Sequence, residues 1–230
     1  MQGIGTSDYI EATFIRELKN RFLCEVELDG KRVVCYVPSS CHLSNFLKLD
    51  GKKVLLVPTL SEKSRTQYAL FAVPYKKSYI LLNTSIANRA IENSIHSRRL
   101  ACFGKRKNIM KEHYIDEYKS DLFIRDTSTV IEIKSVISMS NIAHFPTVYS
   151  ERTVRQLQHI NLLLQKNYIV HFVIISLNPY VREIHINSQS EFYMNLFLCM
   201  QNGLRIEAFN CRLSNDGRIY VDKKLPIIVK

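Results

Sequence analysis

The nine residues Tyr168 to Ser176 (YIVHFVIIS) are apolar almost without interruption. A strand of that composition has no polar face to turn toward water, so it belongs in the middle of a mixed or parallel sheet covered on both sides. Parallel neighbours need crossover connections, and the flanking sequence supplies two helical patterns. One starts after Ser150, with Val154, Leu157, Ile160 and Leu164 on one side. The other runs from Glu191 to Asn202 and stops at Gly203, a residue suited to the position after a helix. Upstream, Tyr118 to Ile124 and Val130 to Val136 read as a β-hairpin around Arg125-Asp126-Thr127-Ser128. Downstream, Leu204 to Leu213 and Arg218 to Val221 read as a strand pair around Asn215-Asp216-Gly217. Strands alternating with helices in this way predict an α/β domain with a mixed central sheet flanked by helices.

The first eighty residues follow a different rhythm. Ala12 to Leu18, Arg21 to Leu28, Lys31 to Val37, Lys52 to Val57, Tyr68 to Val73 and Tyr79 to Leu82 are short apolar-rich runs separated by turn residues such as Asp29-Gly30. Many short strands in so little chain predict a small sandwich or barrel, the five-stranded oligonucleotide-binding (OB) barrel among them. From Asn83 the period becomes helical, through Ile86, Ala90, Ile91 and Ile95, with Asn83, Thr84 or Ser85 as the cap. We therefore divide the chain into residues 1–82 and 83–230.

Composition narrows the function. With 46% hydrophobic residues in 230, the chain can bury a substantial core. No apolar run approaches the roughly 18 residues of a membrane span, and Met1 to Tyr9 lack the pattern of a secretory signal, which leads us to expect a cytoplasmic protein away from membranes. The formal charge of +11 is the footprint of a polyanion binder, with DNA or RNA as the expected partner. Arg98, Arg99, Lys105, Arg106, Lys107 and Lys111 concentrate part of that charge in a stretch that reads as a solvated loop or as a phosphate-contact surface. The six cysteines show no Cys-x-x-Cys spacing and are expected as free, buried thiols. Cys41-His42 resembles half a metal site with no second half at usable spacing. Twelve Tyr and eleven Phe could stack bases, although Phe172 and Phe197, set in apolar runs, read as core.

The candidate chemistry lies in the hairpin. Side chains alternate along a strand, so Glu132 and Lys134 share one face while Ile131 and Ile133 point into packing on the other. If the turn is centred on Asp126-Thr127, Asp121 faces Glu132 with Cβ atoms about 4.5–5.5 Å apart. Two carboxylates that close need a cation between them. Mg²⁺ or Mn²⁺ meets that need, with Lys134 beside the pair to orient water or balance developing charge. A solvated Glu-x-Lys face explains the same spacing without chemistry.

The pattern Asp-x10-Glu-x-Lys between helices resembles the PD-(D/E)xK nuclease superfamily. Several strings are similar to the sugar fermentation stimulation protein A (SfsA) family: Asn83-Thr84 leading to Ala90-Ile91-Glu92-Asn93, Ser120 to Phe123, Glu132 to Val136, and Phe145-Pro146 followed by Glu151-Arg152. The resemblance implies an OB-like barrel joined to a nuclease-like domain, DNA binding, metal ligation by Asp121 and Glu132, and a catalytic Lys134. It also implies that Glu92 adds a further acid to the metal site, though an exposed helix residue accounts for it equally. Glu151, Arg152 and Arg155 would line the site from the following helix, their charges being equally explained as a solvated helix face. The chain departs from the family at Pro38-Ser39-Ser40-Cys41, at Thr153, and at Gln156 where a His is usual. The expectation is a metal-dependent nuclease. The runner-up is a non-catalytic DNA-binding regulator keeping the same fold, and a third reading is an enzyme on another phosphorylated substrate.

Overall fold

A computed structural model describes residues 9–38, 42–45, 47–59, 64–83, 85–103, 108–214 and 217–230. Its first part is a barrel of β1 (Ile10–Glu17), β2 (Leu23–Leu28), β3 (Lys31–Tyr36), β4 (Lys53–Pro58) and β5 (Tyr68–Tyr75), to which β6 (Ser78–Leu81) is added. The strand order is β3-β2-β1-β4-β5-β6, and a parallel pairing of Tyr36 with Ala69 joins β3 to β5 and closes the ring. Closure removes the free edges that five short strands would otherwise expose. The β2–β3 turn uses Asp29 and Gly30, both at positive φ (50° and 74°), the backbone that a tight antiparallel hairpin requires. Phe14, Val26, Val54, Leu56 and Leu70 fill the interior.

The second part begins with α1 (Ile86–His96) and continues through β7 (Ile109–Ile115), β8 (Tyr118–Ile124), β9 (Thr129–Val136), β10 (Ile142–His144) and α2 (Glu151–Gln165). It ends with β11 (Ile169–Ser176), β12 (Glu183–Ile186), α3 (Glu191–Gln201), β13 (Arg205–Leu213), β14 (Ile219–Leu225) and β15 (Ile227–Val229). The main sheet has the order β14-β13-β11-β9-β8-β7. As its apolar run demands, β11 lies between β9 and β13, parallel to both. Ser150 caps α2 by accepting the Thr153 amide at 3.3 Å, and Ser190 caps α3 through the Tyr193 amide. Gly203, at φ 99°, ends α3 in a conformation that side chains rarely adopt.

One face of this sheet, with Ile131, Ile133, Val173 and Ile175, packs in the same apolar cluster as α1 and the barrel interior. The other face, with Val130, Val136, Phe172 and Ile174, packs under α2 and α3. The last barrel strand docks directly on the sheet, where the Leu81 amide donates to the Leu177 carbonyl at 3.0 Å.

Several readings of the sequence change. The basic stretch contains an edge strand, because Lys111 lies on β7, while Lys105, Arg106 and Lys107 fall outside the described residues. A small parallel sheet, β10-β12-β15, was not expected, since its members are only three or four residues long. Phe197 is 46% exposed rather than in the core, because α3 buries only the side carrying Phe192, Leu196 and Cys199. Cys24, Cys35, Cys199 and Cys211 are buried free thiols, but Cys102 is exposed, and Cys41 lies outside the described residues.

Candidate active site

The expected hairpin register holds where the strands pair: Leu122 with Ile131, Phe123 with Val130, and Ile124 with Thr129. The ladder stops there. Asp121 and Glu132 would come next, but the main chains part, and the Asp121 carboxylate enters the gap to accept the Ile133 amide at 2.7 Å. The simple facing pair expected from the sequence is therefore corrected: Asp121 is held by the opened strand rather than paired across it. Its other oxygen accepts from Asn88 Nδ2 of α1 at 2.9 Å. An unpaired strand amide needs a partner, and an acid at the point of divergence supplies one.

Glu132 sits on the α2 face of β9 and is 1% exposed. One carboxylate oxygen accepts from the Tyr118 hydroxyl and the other from Lys134 Nζ at 2.6 Å. Lys134 also donates to Gln156 Oε1 of α2 at 2.7 Å. Burial pushes the Glu132 carboxyl above the usual range; Lys134 pulls it back, and the nearby Asp121 charge pushes it up again, leaving it raised. Burial, followed by the charge of Glu132, raises the Tyr118 phenol, which keeps it a hydrogen donor. The strand alternation thus brings Glu132 and Lys134 together as the sequence implied, with Asp121 close enough to be felt electrostatically.

The other expected residues are placed differently. Glu92 joins no hydrogen bond with Asp121, Glu132 or Lys134 among the described residues; its carboxylate is held by Lys111 Nζ at 2.7 Å and approached by His96. The α1 side chain that does reach Asp121 is Asn88, one helical turn earlier. Among the described residues no three His, Cys, Asp or Glu side chains converge as a metal cluster, so a third acid in the site is not supported. Arg152 is exposed one turn before Gln156 and on its side of α2, while Arg155 is exposed and paired with Glu151. Sequence reasoning missed Tyr118 and Asn88 as site residues and noted Gln156 only as a departure from a pattern. A Tyr three residues before an Asp on one strand carries no distinguishing signal.

The oxygens gathered around Lys134 are the Glu132 carboxylate and the Gln156 amide oxygen, and the Asp121 carboxylate lies near enough to raise Glu132. An oxygen-only set with two acids suits a hard divalent cation, which ordinarily completes its shell with water and substrate phosphate. Burial raises the Glu132 carboxyl, and a further nearby cation would lower it.

Comparison with known proteins agrees with this architecture. A family model described as "SfsA N-terminal OB domain" matches residues 17–82, and one described as "Sugar fermentation stimulation protein RE domain" matches residues 85–217. The chain belongs to the SfsA family. A sugar fermentation stimulation protein homolog of Methanobrevibacter smithii is 26% identical, over 95% of this chain and 97% of its own length. Another from Clostridium beijerinckii is 25% identical, over 88% and 92%. The SfsA structure of Pyrococcus furiosus in complex with Ca²⁺ superposes with a TM-score of 0.84 at 19% identity, covering 99% of both chains, and so shares the SfsA fold.

Proposed function

We propose that this SfsA-family protein is a nuclease that hydrolyses phosphodiester bonds in DNA and/or RNA with Mg²⁺ or Mn²⁺. The observation that carries the reading is the junction of β8 and β9, where a buried glutamate, a second carboxylate in an opened strand and a lysine are held together by side chains from both covering helices. Asp121, Glu132 and the Gln156 amide oxygen would hold the ion. The ion would polarise the phosphoryl group and lower the pKa of water. The binding of Ca²⁺ by the Pyrococcus furiosus relative supports a divalent cation.

The chain's own residues do the rest. Ile133 and Asn88 fix both oxygens of Asp121, so its carboxylate cannot rotate away. Tyr118 fixes one oxygen of Glu132 and leaves the other to Lys134. The lysine, anchored by Gln156, presents its ammonium where it can orient the attacking water and offset charge developing on the phosphorane oxygens. Arg152, exposed at the start of α2, contacts phosphate from the rim, and the barrel with the basic segment around Lys105, Arg106 and Lys107 grips the backbone of the nucleic acid. Free thiols agree with work in the reducing cytoplasm.

One observation favours a second reading, a DNA-binding regulator without catalysis: Lys134 Nζ lies 2.6 Å from Glu132 and offsets the charge that a metal would otherwise balance. A single comparison separates them. Purified protein with Mg²⁺ or Mn²⁺ should degrade plasmid or single-stranded DNA, and Lys134→Ala should abolish cleavage while preserving binding. Equal degradation by the variant would sink the nuclease, and binding without metal-dependent cleavage would establish the regulator.

A further inference from the structure

A second site lies where the carboxyl ends of the parallel strands meet the barrel. A cleft of about 760 Å³ opens between the loop after β9, the loop after β11, the ends of β13 and β14, and the β5–β6 turn of the barrel. In open α/β sheets the space beyond the carboxyl ends of the strands is where ligands settle. Five cations line this one: Lys76, Arg182, Arg212, Lys223 and Lys224, and no acid does. Arg212 is paired with Asp222 at 3.2 Å, and Lys224 lies 3.5 Å from Glu207. Lys76, Arg182 and Lys223 are exposed, and no carboxylate is within ion-pair distance of them among the described residues.

Lys76 is placed with some cost. It takes φ 53°, uncommon for a residue with a side chain, and its ammonium lies 5.3 Å from the Tyr75 ring centre and 4.9 Å from that of Tyr180. The Lys77 amide donates to the Tyr180 hydroxyl at 3.0 Å, tying the barrel turn to the loop after β11. The two parts of the molecule thus hold a cation in their shared crevice.

We propose that this cleft binds the phosphodiester backbone of a single nucleic-acid strand and leads it to the carboxylate pair, an inference that rests on nucleic acid being the substrate. The lining supports one strand: Tyr75 and Tyr180 stand among the cations, the combination of basic and aromatic side chains that tracks a single strand. Position supports the connection, since Met139 in the cleft lies five residues beyond Lys134, at most about 18 Å of extended chain.

The test measures binding of a fluorescein-labelled 20-mer of oligo(dT) in EDTA, where cleavage plays no part. The variant Lys76→Gln/Arg182→Gln/Lys223→Gln should bind roughly tenfold or more weakly at 50 mM NaCl. Its slope of log K against log salt should be shallower by about 2, as expected for three lost contacts to a single strand. A control of equal charge, Lys166→Gln/Arg205→Gln/Lys230→Gln, lies outside both the cleft and the barrel and should keep most of the affinity. Since all three cleft side chains are exposed and only Lys76 meets aromatic rings, the melting temperature should change by no more than a few degrees, and Lys223→Gln alone should show a smaller loss of the same kind. Equal weakening by the control would reduce the cleft to diffuse charge and overturn the proposal, as would undiminished binding by the cleft variant. Competition by millimolar inorganic phosphate as effective as that by unlabelled oligo(dT) would mean an isolated phosphate site and overturn it too. So would tighter binding of a duplex that the cleft substitutions weaken equally. Loss of cleavage-based support through Lys134→Ala leaves this binding result standing, so the two readings fail separately; a wild-type protein that binds no oligonucleotide overturns both.

Discussion

Asp121 performs two tasks with one carboxylate: it closes the gap between diverging strands and it offers negative charge to the site. Asparagine can keep one hydrogen bond of the first task but none of the charge of the second. In the wild type, saturating Mn²⁺ should raise the melting temperature, since a ligand present at 100 times its Kd stabilises by about 2.7 kcal/mol. Asp121→Asn should lose most of that rise; an undiminished rise would place the ion elsewhere. Glu207 provides a test of electrostatics away from the site. Burial alone would raise its carboxyl, but bonds to His171 and Cys102, with Lys224 nearby, outweigh it and hold the group below its ordinary value. A depressed carboxyl stabilises the fold above the ordinary carboxylate range, and that contribution disappears as pH falls through the depressed value. Glu207→Gln should therefore cost about 1–3 kcal/mol at pH 7 in urea unfolding, and the difference should shrink below about pH 4. A pH-independent difference would refute the electrostatic origin. At this scale, the strand alternation made Glu132 and Lys134 legible before any coordinates. Tyr118 and Asn88 were not, because their roles arise from where β8 bends and α1 lands, and neither is encoded in spacing.

Among the elements, α2 matters most to the site, because it carries Gln156 against Lys134. Its start is fixed by Ser150, whose hydroxyl accepts an amide that would otherwise lack a partner. Ser150→Ala should destabilise the protein by about 1 kcal/mol, read as a lower urea midpoint with an unchanged slope. No change in the midpoint would show that tertiary packing alone sets the helix. The Ser150 cap, the Gly203 stop, the Asp29-Gly30 turn and the unbroken apolar strand β11 were all readable, since each depends on residues adjacent in sequence. β10, β12 and β15 escaped notice because a three-residue strand has no period; its hydrogen-bond partners come from distant chain. β7 was hidden for another reason: its exposed face is polar, and the charges of Lys111, Glu112 and their neighbours look like a loop.

Across the whole molecule, the barrel and the sheet share one apolar cluster, in which Leu82 is fully buried at their junction. Leu82→Ala should cost about 2–5 kcal/mol. Amides in β4 and β11 should lose hydrogen-exchange protection together if the shared cluster makes one cooperative unit. Loss confined to β4 would mean that the barrel unfolds by itself. The succession of barrel and mixed sheet was visible as a change of hydrophobic rhythm, whereas the continuity of the core was not, because a one-dimensional pattern marks which residues are buried but not which of them touch.

Strand β9 has its working side chains, Glu132 and Lys134, on one surface, and on its reverse Ile131 and Ile133 sit in the cluster that also contains the barrel interior. Excising the first eighty residues would thus strip the backing from the very segment that aligns the acids. The amino-terminal third is a foundation, and a transplant of the remaining two thirds onto another protein would have to bring a substitute wall with it.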